Sequence, residues 1–364
     1  MPCATAGLTF TAQGVCGLCT AYDELRVGGG DVEAELHGLE EKIEQVRAAG
    51  RGRPFDCVVG YSGGRDSTYL LYLLVRVHKL RCLAAYYRTP FAHDVIDENA
   101  RRTASRLGVP LEPMRISQAQ HARVARTVLL MWLAAPSLEL TNLLCVVCKY
   151  VNRELFRVAR QHGVRAVING GNRYEDFPVG LAHAAPRRGQ HAHGFVVQLG
   201  RSARLLRRSL TFLLRNPRVV PLLPLGFKGA LLYLSPHTPY LRLRYPGILR
   251  LDYFRHTPYD EAECTRVITS ELGWRLPPDC RGYWRADCAM DDLKNLLFEH
   301  TVGATYRDSY FSNMVRFGAL GREEGLRRLQ HEGPASPERI ASVAKVLGVE
   351  IGLPIVPSAR RLSD

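Results

Sequence analysis

The sequence predicts an α/β protein, a parallel sheet flanked by helices, followed by a mostly helical C-terminal region. Three observations carry this. The apolar run Asp56-Cys57-Val58-Val59-Gly60-Tyr61 passes through the glycine turn Ser62-Gly63-Gly64-Arg65-Asp66-Ser67 into a helical stretch, Thr68–Val77. The alternation of strand and helix then repeats, which is the rhythm of a parallel sheet with crossover helices. From Asp260 to about Gly348 the pattern is almost wholly helical.

In order along the chain, residues 1–50 hold a Cys-rich, turn-like start and then a charged helix. That helix is expected over Asp31–Ala49, where Val32, Leu36, Leu39, Ile43 and Val46 recur every three or four residues. Residues 51–176 form the expected core. It holds the first strand, a second strand at Cys82–Tyr87, helices at Asp94–Leu107, Gln118–Leu133 and Lys149–His162, and a strand Ala166-Val167-Ile168 ending in Asn169-Gly170-Gly171-Asn172. Residues 177–251 interrupt the rhythm as a basic insertion, and residues 252–364 form the C-terminal region, ending in a loose tail.

Composition narrows the class. With 46% hydrophobic and 23% charged residues in 364, the chain reads as a folded protein rather than a disordered one. Ten cysteines at this length do not make a small secreted disulfide framework, and no signal peptide is seen, so the expected compartment is the reducing cytoplasm. The apolar stretch Val219–Leu234 contains two prolines and Lys228, which makes it too short and too broken to span a bilayer. The net charge is +14, and it is placed unevenly. The 75 residues from Phe177 to Leu251 contain no Asp or Glu, eleven Arg and Lys228, which is +12 of the +14. Within them Gln198–Arg215 reads as an amphipathic helix with Arg201, Arg204, Arg208 and Arg215 on one side. RNA binding, membrane-surface binding, a solvated basic face, and a lid that meets an anionic substrate all fit such a segment.

The turn Ser62–Ser67 is where the chemistry concentrates. Two glycines let backbone approach a phosphate, and the following helix offers free N–H groups and the positive end of its dipole. Ser62 and Ser67 add hydroxyl donors, and Asp66 can hold magnesium through oxygen. The string resembles the PP-loop, S-G-G-x-D-S, of the N-type ATP pyrophosphatases, the adenine nucleotide alpha-hydrolase superfamily, with Arg65 at the variable place. The resemblance implies an adenine nucleotide alpha-hydrolase-like fold, ATP and Mg2+ as ligands, and cleavage between the α and β phosphates. The usual product is an adenylated carbonyl or amide oxygen, which a nitrogen or sulfur nucleophile then displaces. By the same resemblance Tyr61, Ser62, Gly63, Gly64, Arg65, Asp66 and Ser67 contact the nucleotide. Gly170-Gly171-Asn172-Arg173-Tyr174-Glu175-Asp176 resembles the superfamily's G-x-N-x-x-D stretch, so Gly170 and Asn172 join the site and Asp176 is a second magnesium carboxylate. Tyr87 and Arg88, at the end of the second strand, are candidates for the adenine.

The cysteines bear on the nucleophile. Cys145-Val146-Val147-Cys148 precedes a helix. A lone C-x-x-C reads as a redox pair, half a metal site or coincidence. Cys288, in the polar, arginine-flanked Trp284-Arg285-Ala286-Asp287-Cys288-Ala289-Met290, is the chosen third cysteine. From Cys145 to Asp176 the chain resembles the tRNA 2-thiolation branch of the superfamily. That resemblance implies a [4Fe-4S] cluster on Cys145, Cys148 and Cys288, with one iron open to sulfur, or persulfide chemistry on the same pair. Cys3, Cys16 and Cys19 make a zinc knuckle one reading, short of the usual four ligands. Cys57 and Cys82 lie on apolar strands and are expected in the core.

The overall layout resembles a second branch, the N-acetyl sugar amidotransferases. The resemblance covers about residues 3–330, including Gly14–Cys19 and Gly318-Ala319-Leu320-Gly321-Arg322-Glu323-Glu324. It departs from that branch in the reduced N-terminal knuckle and in the extra Cys145, Cys148 and Cys288. The expected function is therefore an ATP-dependent sulfurtransferase acting on an anionic small molecule such as a nucleobase or nucleotide, fed by a sulfur donor or carrier protein. The alternatives are amidation of a sugar with ammonia from a glutaminase partner, and tRNA thiolation.

Overall fold

Five parallel strands form one sheet in the order β3–β2–β1–β4–β5, where β1 is Cys57–Tyr61, β2 Cys82–Tyr86, β3 Leu111–Pro113, β4 Ala166–Asn169 and β5 Leu249–Asp252. The computed structural model describes residues 5, 8–27, 38–175, 217, 224 and 239–354. Strands β1, β2 and β4 are buried along nearly their whole length. That is why each reads as an unbroken apolar run rather than an alternation: helices cover both faces of the sheet. In register, Cys57 to Tyr61 lie beside Cys82 to Tyr86, and Asn169 beside Asp252.

The helices follow in chain order: α1 Gly17–Val27, α2 Leu39–Ala49, α3 Arg65–Tyr72, α4 Asp94–Leu107, α5 Gln118–Ala134, α6 Leu138–Leu143 and α7 Tyr150–Gln161. After them come α8 Pro239–Arg244, α9 Glu261–Leu272, α10 Met290–Val302, α11 Tyr306–Arg316, α12 Arg322–Glu332 and α13 Pro337–Leu347. Local chemistry sets their ends. Asp260 caps α9 by accepting from Ala262 N at 2.8 Å, and Gly273, at φ 62°, ends that helix in the left-handed conformation. Thr305 and Asp308 form a reciprocal capping box on α11, and Ser336-Pro337 starts α13.

The expected fold class holds, with two refinements. The sheet does not stop where the basic segment begins, because Leu249, Arg250 and Leu251 at its end pair with β4 as part of β5. The helix after the glycine turn begins at Arg65 and loosens into a π turn over Leu73–Val77. The predicted helix Gln198–Arg215 and the first part of the predicted helix Asp31–Ala49 lie outside the described residues. No helix among the described residues is long and apolar enough to cross a membrane.

Two apolar clusters fix the site. One joins the sheet to α3, α9 and α11 through Leu70, Leu71, Phe254, Ile268, Trp274 and Tyr310. The other joins α5, α6, α10 and α13 through Val128, Trp132, Leu140, Leu293 and Val343, with Cys145 and Cys288 at its margin. Sheet order reverses between β1 and β4, since β2 and β3 continue to one side and β5 to the other. In open α/β sheets ligands sit at such a reversal, beyond the C-terminal ends of the strands. Here those ends carry Ser62–Ser67 and Gly170–Asn172.

Candidate nucleotide and thiol site

The turn after β1 is held open by its own hydroxyls. Ser67 Oγ lies 3.1 Å from Ser62 Oγ, accepts from Ser62 N at 3.3 Å and donates to Gly64 O at 3.2 Å. Gly63 stands at φ +79°, and a Cβ there would come 2.7 Å from Ile96 O, so both the turn and the close approach of α4 require glycine. Trp274 Nε1–H donates to Gly63 O at 3.0 Å and pins the turn from the C-terminal region. Backbone N–H groups at the start of α3 are thereby presented together, as an anion needs.

Arg65 turns inward. Its side chain is 2% exposed, with Nε 2.6 Å from Asp66 Oδ1 and Nη1 2.8 Å from Glu261 Oε1. Tyr259 OH also donates to Asp66, and Arg328 and Tyr310 donate to Glu261. Burial pushes the Glu261 carboxyl up, but Arg65 and Arg328 outweigh it and hold the group below its ordinary value. Arg65 thus acts as an internal brace for Asp66, and its Nη2 is buried without a hydrogen-bond partner among the described residues. Tyr61 is also a core residue: its hydroxyl reaches Thr68 at 3.4 Å, and burial pushes its pKa up to about 12.

At the end of β4, Asn172 is 2% exposed. Its Oδ1 accepts from Tyr174 N at 3.0 Å, while its Nδ2 is buried with no hydrogen-bond partner among the described residues. Glu175 is engaged by Arg285 Nη2 at 2.9 Å and Trp284 Nε1 at 3.4 Å. Asp176 and Cys3 lie outside the described residues, so the magnesium partner expected for Asp66 is not placed.

The segment Trp284–Cys288 ties this loop to the cysteines. A Cβ on Gly64 would come 3.1 Å from the Asp287 side chain, so Asp287 rests directly on the phosphate loop. Its neighbour Cys288 interacts electrostatically with Cys145 and Cys148. A 3-10 turn, Val146–Lys149, brings the first two together. The Cys148 thiol donates to the Cys145 sulfur, which is the main reason that Cys145 is lowered to about 6, with Lys294 and Lys149 adding to it against burial. The same bond and burial raise Cys148. Burial pushes Cys288 up to about 12, although Thr89 Oγ1 donates to its sulfur at 3.5 Å. Cys145, Cys148, Lys149 and Lys294 thus interact with one another and, through the cysteines, with Cys288, whose neighbour Asp287 touches Gly64.

Tyr87 and Arg88 take different places. Tyr87 is buried, with its hydroxyl 2.8 Å from His121 Nδ1, and His121 Nε2 lies 3.8 Å from Cys148 Sγ. Arg88 pairs with Asp94 at the start of α4. The positions that sequence reading missed, His121, Glu261, Tyr259, Lys294 and Asp287, lack any local pattern. Each acts through a partner many residues away, except that Asp287 adjoins the Cys288 which the reading did select.

The N-terminal pair differs. Cys16 and Cys19 stand at the start of α1 with sulfurs 3.3 Å apart, and Arg316 Nε donates to Cys19 at 3.4 Å. The bond from Cys19 lowers Cys16 to about 5 against burial, and raises Cys19. Cys3, the third cysteine of the zinc reading, lies outside the described residues, so that knuckle is not placed. Among the described residues no group of three or more His, Cys, Asp or Glu is placed to hold a single metal ion. Cys57 and Cys82 are core residues on paired strands, as expected, with sulfurs 3.6 Å apart.

No known family model matches the chain, and neither does any curated protein sequence. Solved structures resemble it at low overlap. One is an NH3-dependent NAD synthetase from Campylobacter jejuni subsp. jejuni NCTC 11168, at 19% identity and TM-score 0.28, covering 38% of this chain and 56% of that one. A second is the U34-tRNA thiolase NcsA from Methanococcus maripaludis with its [4Fe-4S] cluster, at 13% identity and TM-score 0.34, covering 87% and 82%. A third is an NMN synthetase from Francisella tularensis, at 12% identity and TM-score 0.33, covering 85% and 93%. The chain thus spans little more than half of the first structure and most of the other two. Overlaps this low carry no argument about activity, which is read from the geometry above.

Proposed function

We propose that this protein uses ATP to adenylate a carbonyl oxygen of an acceptor and then replaces that oxygen with sulfur. The observation that supports the reading is the contact of Asp287, the neighbour of Cys288, with Gly64, together with the electrostatic interaction of Cys288 with Cys145 and Cys148. In the first step the acceptor's carbonyl oxygen attacks the α-phosphorus of ATP. The bond from that phosphorus to the α–β bridging oxygen breaks, and pyrophosphate leaves with the electron pair. Loop N–H groups and the Nδ2 of Asn172 offset the charge of the leaving group, and Asp66, braced by Arg65, would hold the magnesium that ATP brings. In the second step hydrosulfide attacks the activated carbon, AMP departs with the former carbonyl oxygen, and one proton is released.

The thiols fit the role. Cys145, Cys148 and Cys288 offer a donor set for a four-iron cluster, which spaces its ligands more widely than a single ion does, and Lys149 and Lys294 balance thiolate charge. When bound, such a cluster supplies one iron without a protein ligand, where sulfur can be presented. Amidation would leave these thiols without a task. An acceptor such as a nucleobase or nucleotide agrees with the basic segment Phe177–Leu251, and total tRNA is the competing acceptor.

The test incubates anaerobically purified protein with Mg-ATP, a mixture of nucleosides and nucleoside monophosphates or total tRNA, and either sulfide or ammonium. AMP, pyrophosphate and a thiolated product that form with sulfide support the reading. ADP with phosphate, or a product that forms only with ammonium, contradicts it.

A further inference from the structure

We propose that Arg285 supplies the phosphate site with its cation, moving from Glu175 onto the β and γ phosphates when nucleotide binds. This rests on the ATP half of the function proposed above, whichever nucleophile follows. Arg285 belongs neither to the phosphate loop nor to the cysteine set.

The loop itself brings no free cation. Arg65 is the one basic residue in Ser62–Ser67, and its guanidinium is engaged inside the protein by Asp66 and Glu261. Backbone N–H groups at the start of α3 supply partial charges, and a triphosphate is held most strongly by full ones. The Arg285 side chain is 46% exposed, against 2% for Arg65, so a ligand can reach it. It interacts electrostatically with Asp66 and with Asp287, and Asp287 rests on Gly64. It acts as well on Lys149 and Lys294, the lysines beside the cysteines. Arg285 is therefore within electrostatic reach of the phosphate loop and of the thiols alike.

The backbone holds it there. Arg285 stands at φ 54°, a left-handed conformation that disfavours residues other than glycine, and Lys79 is the one other such residue among those described. Strain of this kind persists where the surroundings impose it. Arg285 O accepts from Arg339 Nη2 at 3.2 Å and from Cys288 N at 3.4 Å. Ala286 O accepts from Arg339 Nη1 at 3.5 Å. The Arg339 side chain is 4% exposed and is anchored by Asp292, which also pairs with Arg307 at 3.0 Å. Helices α10, α11 and α13 thus grip the turn. Glycine, the residue that would fit it without strain, has no guanidinium.

Glu175 is the counter-ion without nucleotide. Arg285 Nη2 lies 2.9 Å from its Oε2, and Trp284 Nε1 donates to its Oε1 at 3.4 Å. Glu175 belongs to the loop after β4 and Asp287 touches the loop after β1, so Arg285 stands where the two strand ends meet. A phosphate carries more charge than a carboxylate and accepts the same two-pronged guanidinium contact. When Arg285 turns to it, the Trp284 N–H still serves Glu175. Glu175 therefore competes with nucleotide for Arg285, which a plain structural clip would not do.

Calorimetry on the full chain tests this with Mg2+ and α,β-methylene ATP, whose α–β link is not cleaved, and with AMP as the control. Arg285→Gln should weaken the analogue at least about tenfold and leave AMP within about twofold. Glu175→Gln should tighten the analogue several-fold. Loss of analogue binding in both variants marks a clip and overturns the proposal, as does wild-type affinity in Arg285→Gln. Arg285→Gly relaxes the backbone and guards against misfolding. Its urea midpoint should equal or exceed that of the wild type while its analogue affinity falls as far as that of Arg285→Gln, and retained affinity overturns the proposal. A wild type that binds no analogue overturns this assignment and the proposed function together. Weakened binding in Arg285→Gln, with product formed only from ammonium, upholds Arg285 and overturns the sulfur reading alone.

Discussion

The chain carries two C-x-x-C pairs of identical spacing, and their surroundings make them chemically unlike. Cys16 and Cys19 sit at the start of an outer helix, with Arg316 bonded to one sulfur. Cys145 and Cys148 sit at the margin of an apolar cluster, with Cys288, His121, Lys149 and Lys294 around them and the phosphate loop one residue beyond Cys288. In both pairs the bond between the sulfurs lowers the first cysteine, to about 5 in the outer pair and about 6 in the inner one, and raises the second. What separates them is the third thiol and the nearby candidate nucleotide site. Spacing brings two sulfurs together, and the fold decides what they face.

Substitution should separate the pairs most strongly. Cys145→Ala or Cys148→Ala should reduce sulfide-dependent pyrophosphate release at least a hundredfold, whereas Cys16→Ala should leave it within about twofold. A comparable loss from both pairs would erase the distinction. Beneath the inner site, Arg65→Ala leaves Glu261 buried with one fewer cation and Asp66 without its brace. It should cost about 3–5 kcal/mol in urea unfolding, with Arg65→Lys costing less. At the phosphate loop, Gly63→Ala forces a side chain into a left-handed backbone against Ile96 O, and should cost about 1–3 kcal/mol and weaken ATP binding measured by calorimetry. The smallest effect is one of pH. Thiolates alkylate and thiols do not, so modification of Cys16 by iodoacetamide should rise with pH through about 5, and that of Cys145 through about 6. Site-resolved mass spectrometry reads both. Coincident profiles near the ordinary thiol value would show that neither setting activates its sulfur.

The parts of the site that were legible in the sequence are local. Ser62–Ser67 follows an apolar strand and opens a helix, and both features are visible in the order of residues. Cys288 was singled out because its polar, arginine-flanked setting is unlike a core cysteine, and it interacts electrostatically with Cys145 and Cys148. The rest depends on the fold. Arg65 reads as a phosphate ligand in a glycine turn, and only the packing of α9 on α3 brings Glu261 to it and turns it inward. Tyr87 reads as an aromatic at a strand end, and only α5 supplies the His121 that engages its hydroxyl. Strand β5 was hidden because Leu249–Asp252 is four residues long and begins within a basic, proline-bearing stretch. Its apolar signal is too short to stand apart from its neighbours.

The central claim is that the phosphate loop and the inner cysteines form one site from which the outer pair is separate. It is tested most directly by alkylating the reduced, metal-free protein with iodoacetamide, with and without saturating Mg-ATP, and following each cysteine by peptide mass spectrometry. Asp287 links Gly64 to Cys288, so nucleotide binding should slow modification of Cys288 and Cys145 several-fold and leave Cys16 unchanged. Equal rates at Cys145 and Cys288 with and without nucleotide, or equal protection of Cys16, would contradict the claim.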